Sequence, residues 1–146
     1  MNVVKISQPE FSDVLGLEFD LVLCASGYES RASSLANQFA KLNSQRIALG
    51  FSENRQSPIR LFNDRIFKNN GFTIIELSGN SVDRLEVFLQ SFFLENRKEH
   101  LRILIDVSSM TRNWYGGFIR TLWAEKNISK ITTVFTYVPA EFPTAQ

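Results

Sequence analysis

Short runs of continuous apolar sequence alternate along this chain with longer stretches whose apolar residues recur every three or four positions, the pattern of repeated strand–helix units. The run Asp20-Leu21-Val22-Leu23-Cys24-Ala25 has almost no polar side, so it fits a strand covered on both faces of a parallel sheet. After it, Ala32, Leu35, Ala36 and Phe39 fall at i, i+3, i+4 and i+7, which predicts a helix over about 30–42 with one buried stripe. A second unit begins with Arg46-Ile47-Ala48-Leu49-Gly50-Phe51. Its helix opens at Ser57-Pro58, where serine caps and proline takes the first turn, and Ile59, Phe62 and Ile66 are expected to face inward.

Asn70-Gly71 stops that helix, and the β-branched run from Phe72 to Leu77 resumes as a strand. Ser81 is the expected cap of a long helix reaching about Arg97, lined by Val82, Leu85, Phe88, Leu89, Phe92 and Phe93. The fourth strand is Leu101-Arg102-Ile103-Leu104-Ile105-Asp106. The helix after it buries Trp114, Phe118 and Leu122 with their neighbours Ile119 and Trp123, and Gly116-Gly117 allows close packing on the sheet or on a second subunit. A last strand covers Ile131 to Tyr137, and residues 2–6 offer a possible edge strand. Joined by right-handed crossovers, these units most simply make a Rossmann-like, doubly wound α/β fold: a mainly parallel sheet of five strands, six with the amino-terminal edge, with 3-2-1-4-5, the commonest half-Rossmann order, as the expected one.

The 146 residues, 44% of them apolar, suffice for one domain with its own core over 1–146. The stretch from Pro139 to Gln146 reads as a connector, compatible with the amino-terminal part of a longer chain. Sixteen basic against fifteen acidic side chains leave a formal charge of +1, so no long phosphate-tracking surface, and hence no duplex DNA partner, is expected. Cys24 and His100, each the only one of its kind, build neither a disulfide framework nor a metal site, and no cofactor is expected. No apolar run reaches membrane-spanning length and the first residues lack the pattern of a signal peptide, so a cytoplasmic location without membrane contact is expected.

The order 3-2-1-4-5 sets strands 1 and 4 side by side, with a crevice at their carboxyl ends. Two loops face each other there. In the first, Gly27 permits a tight turn and close backbone approach, Arg31 supplies a planar bidentate donor, Ser26 and Ser30 supply hydroxyls, and Tyr28 supplies a stacking face. In the second, Asp106 ends an apolar strand and Ser108, Ser109 and Thr111 precede Arg112. Asp106 can accept from a ribose hydroxyl, while the hydroxyls, the amides near Thr111 and the Arg112 guanidinium can hold a phosphate. Both loops also have a plain reading as helix entries, in which Asp106 and Ser109 serve only backbone donors and Arg31 is solvated.

Asp106-Val107-Ser108-Ser109-Met110-Thr111-Arg112, after a buried strand and opening a helix, resembles the Asp/Asn-x-Ser/Thr-x-Gly-Thr-Lys/Arg signature of CRISPR-associated Rossmann-fold (CARF) sensor domains. Ser26-Gly27 is similar to that family's first ligand loop, and Met110 stands where the family commonly has glycine. The resemblance implies a homodimer whose crevices bind a cyclic oligonucleotide to switch an effector domain or subunit in prokaryotic antiviral defence, with Asp106, Ser108, Thr111 and Arg112 as ligand contacts. The aromatic surplus of Phe92-Phe93 and Trp114 with Trp123 fits a dimer face. The residues leave two other classes open. One is an enzyme cleaving an N-glycosidic or phosphodiester bond, with Glu29 or Glu53 as nucleophile or base and Asp106 orienting a ribose. The other is a protein-interaction subunit with a vestigial crevice.

Overall fold

The computed structural model describes residues 3–39 and 44–141. Strands β1 (Leu21–Ser26), β2 (Gln45–Phe51), β3 (Thr73–Leu77), β4 (His100–Asp106) and β5 (Lys130–Thr136) form one five-stranded sheet, parallel throughout, in the order β3-β2-β1-β4-β5. The fold is the Rossmann-like one that the apolar runs imply. Side chains alternate across β1. Leu21, Leu23 and Ala25 join Leu85, Leu89, Phe92, Trp114 and Phe118 in one core, under helices α3 (Asp83–Glu95) and α4 (Arg112–Ala124). Val22 and Cys24 join Val14, Leu35, Phe39 and Phe67 in the other, under α1 (Phe11–Leu15), a short 3-10 helix (Ser30–Ser33) and α2 (Pro58–Asn69). No helix among the described residues is long and apolar enough to cross a membrane.

Five local expectations are corrected. The helix expected over 30–42 is a 3-10 turn at Ser30–Ser33 followed by further turns to residue 38, and its end falls outside the described residues. Amides of Ala32, Ser34, Ala36 and Gln38 each donate to the carbonyl three residues back, so the segment never settles into the α spacing. Ser33 draws it aside by donating to Asn63 Oδ1 at 2.7 Å. Its apolar stripe is nevertheless buried: Ala32, Leu35, Ala36 and Phe39 all lie in the core.

The second correction concerns α2. Ile59 and Phe62, expected inside, are 46% and 52% exposed; Ile66 is half-buried against the core as expected, but the residues the helix buries fully are Arg60, Asn63 and Phe67. The two sets are the same pattern displaced by one residue, a rotation of about 100°. The cause is a demand for donors. Carbonyl groups of Gly27, Glu29 and Phe51, at the ends of β1 and β2, point towards α2 and need partners. Asn63 Nδ2 donates to Gly27 and Glu29 at 3.0 and 2.9 Å, and Arg60 Nη1 donates to Phe51.

In α4, Trp114 and Phe118 are buried as expected, but Ile119 and Trp123 face outward, 47% and 58% exposed, and Gly117 and Thr121 take the inner places. A Cβ on Gly117 would sit 3.2 Å from Val82, so glycine here lets α4 approach the start of α3, whereas a Cβ on Gly116 would meet nothing within 4 Å. Gly116→Ala is therefore expected to raise stability by about 0.5–1 kcal/mol in thermal denaturation, since only backbone entropy changes. Gly117→Ala should forfeit that gain to crowding. Finally, the edge strand expected over 2–6 is not formed: residues 3–6 are in no strand, with Val3, Val4 and Ile6 exposed, and residue 2 lies outside the described residues. The α3 helix also starts two residues later than its expected Ser81 cap, at Asp83.

Candidate functional site

All five strands point the same way, so every strand-to-helix loop leaves from one edge of the sheet. There the β1 and β4 loops touch. A Cβ on Gly27 would stand 3.0 Å from Ser109 Cβ, so the bare glycine is what allows the two bends to close on each other. Ser109 Oγ is buried in this contact without a hydrogen-bond partner among the described residues.

Asp106 ends β4 with 2% of its surface exposed. Its Oδ1 accepts from the Ser108 amide at 3.2 Å and the Ser108 hydroxyl at 2.5 Å. Burial pushes the carboxyl above its ordinary pKa, opposed by those two Ser108 bonds, by Thr136 and by the charge of Arg31. Ser108 Oγ in turn accepts from the Val138 amide at 2.8 Å, which fixes the β4 loop to the segment after β5. Asp106 and Ser108 thus shape the loop from beneath, and Cys24, whose thiol burial and Asp106 both push upward, is an inert neighbour in the core.

Arg31 is already engaged. Its Nη1 donates to the Val138 carbonyl at 2.8 Å, its Nε pairs with Glu29 at 2.7 Å, and its guanidinium lies 5.1 Å from the centre of the Tyr137 ring. It closes the β1 loop against the β5 end. Glu29, the candidate nucleophile, is the other half of that ion pair. Ser26 also turns inward, donating to Asp64 Oδ1 at 2.5 Å on α2. Ser30 opens the 3-10 helix.

Thr111 caps α4, accepting from the Trp114 amide at 3.3 Å, and donates to the Gly79 carbonyl at 3.1 Å. Arg112 occupies the first helical position beside it, exposed and with no side-chain partner among the described residues. It is an available cation at the head of α4, beside the mouth where the β1 and β4 loops meet and next to the amides of a thirteen-residue helix. Tyr28 leans on Phe51, centroids 5.3 Å apart, and Phe51 on Trp114 at 4.4 Å, so an aromatic column runs under the rim. The Tyr28 hydroxyl donates to the Glu53 carbonyl. Glu53 accepts from Ser78 Oγ at 2.8 Å and the Gly79 amide, and hydrogen bonds, its own amide's foremost, hold its carboxyl below the ordinary value.

Sequence reasoning thus located the two loops but missed their supports, Phe51, Arg60, Asn63 and Asp64. The Arg60–Asp64 spacing of four residues, here an ion pair at 2.8 Å, was the available signal, although such pairs usually mark a solvated face. His100 lies at the opposite end of the sheet, bonded to Thr132 Oγ1 at 2.7 Å. Among the described residues no group of three or more His, Cys, Asp or Glu side chains could hold a metal ion. No protein-family model matches the chain, and no curated protein matches its sequence.

Proposed function

We propose that this domain is a sensor that binds a nucleotide or cyclic oligonucleotide second messenger at the mouth between the β1 and β4 loops. The observation that carries the reading is the closure of those loops at Gly27 and Ser109 beside an unpaired, exposed Arg112 at the head of α4. A phosphate seated at the head of α4 receives helix amides and a charged fork together. The resemblance of the β4 loop to the CARF signature adds the ligand class, a cytoplasmic role in antiviral defence, and an effector domain or subunit that receives the signal. A homodimer belongs to the same reading. Gly116, Ile119 and Trp123 extend outward along α4 from Arg112, and pairing of two copies would bring two mouths together.

Titration with cyclic oligoadenylates, dinucleotides and NAD, with product analysis alongside, tests the proposal. Binding without turnover is expected, and Arg112→Ala should weaken it about ten- to a hundred-fold, the worth of a hydrogen bond to a charged group. Absence of binding across the panel, or turnover lost in Glu29→Gln, overturns it.

A further inference from the structure

An open cleft of about 460 Å³ adjoins the mouth on the β2 side, lined by Tyr28, Asn54, Gln56, Ser57, Pro58 and Ile59. It is mostly apolar, as small-molecule sites usually are. Tyr28 is the last ring of the aromatic column, braced behind by Phe51 and tied by its hydroxyl to Glu53, so its ring is held rather than free to swing. Pro58 and Ile59, exposed in the first turn of α2, supply the apolar side of the cleft. Asn54 is the one non-glycine residue with positive φ, 48°, among those described, a backbone turn that carries the chain around the cleft into α2. The carboxamides of Asn54 and Gln56 make no hydrogen bond with any described residue, although both line the cleft.

A braced ring, an apolar wall and two free carboxamides are what a planar heterocycle requires. Every nucleobase has a face to stack, and a carboxamide offers a donor and an acceptor side by side for its edge. Tyr28 follows Gly27 directly, so this cleft begins one residue from the phosphate position. Resting on the nucleotide reading of the mouth, we infer that this cleft is a nucleobase slot: a base lies on Tyr28 with its edge read by Asn54 and Gln56, while its phosphate reaches Arg112.

Calorimetric titration of the full chain with AMP, GMP, CMP, UMP, ribose 5-phosphate and inorganic phosphate separates the two claims. The best mononucleotide should bind at least about ten-fold more tightly than ribose 5-phosphate. Tyr28→Ala should erase that difference while leaving ribose 5-phosphate within about two-fold. Gln56→Ala, which removes an unbonded surface group and so spares the fold, should weaken the same mononucleotide about three- to ten-fold. Equal binding of mononucleotides and ribose 5-phosphate by the native chain, or no effect of Gln56→Ala, overturns the slot and leaves the phosphate mouth standing. If none of these compounds binds while a cyclic oligoadenylate or dinucleotide does, the slot falls and the mouth stands; if those fail as well, both fall.

Discussion

Arg60→Met is expected to destabilise the domain by about 3–5 kcal/mol in urea denaturation, more than almost any exposed substitution could. The side chain is wholly buried, Nε bonded to Asp64 at 2.8 Å and Nη1 to the Phe51 carbonyl. Its Nη2 has no hydrogen-bond partner among the described residues and lies 3.6 Å from Glu76. Methionine matches the length and the apolar stem but leaves the Asp64 carboxylate with only the Ser26 hydroxyl, and leaves the Phe51 carbonyl with no donor. Two controls distinguish this from simple loss of packing. Arg60→Met with Asp64→Leu removes both charges and should recover much of the loss, since an apolar pair of similar volume is often no worse than a buried ion pair. Arg60→Lys keeps the charge but not the planar fork, so it should fall between. A loss below about 1 kcal/mol in Arg60→Met would show that the ion pair does not hold α2 in its rotated setting.

That rotation marks the limit of what periodicity can reveal. Ile59, Phe62 and Ile66 satisfy the same helical spacing as the buried set one residue along, and nothing within α2 says that three carbonyl groups on other elements require Asn63 and Arg60. Strand order was readable because buried apolar runs such as Leu21–Ala25, joined by right-handed crossovers, most simply make a doubly wound sheet, and the order seen here is the commonest such order. The loops of the mouth were readable for the same reason, since a polar residue such as Asp106 at a strand's carboxyl end falls at the sheet's open edge. Their internal bonding was not. Arg31 meets the Val138 carbonyl 107 residues further on, and Ser108 accepts from the Val138 amide 30 residues on. Such partners are chosen by the tertiary fold, and local residue type carries no trace of them.

Trp114→Ala should cost about 3–5 kcal/mol, and its effect should reach the mouth as well as the core. The ring is fully buried between the sheet and α4, 4.4 Å from Phe51, and its Nε1 donates to the Ser78 carbonyl at 3.1 Å. Truncation opens a cavity beneath Phe51 and frees the Ser78–Gly79 turn from one of its bonds to α4. Phe51 is also the brace behind Tyr28, so mobility spreads outward along the column. Trp114→Phe retains most of the ring contact but not the N–H donor, and should lose about 1–2 kcal/mol. Trp123 is the internal comparison: exposed on the same helix, it should change stability by less than about 1 kcal/mol when replaced by alanine. In Trp123→Phe, Trp114 is the sole tryptophan, so its emission should be that of a ring shielded from water and should shift to the red only as the domain unfolds. A red emission from the folded protein, or equal stability losses at the two tryptophans, would mean that the column is not packed as described.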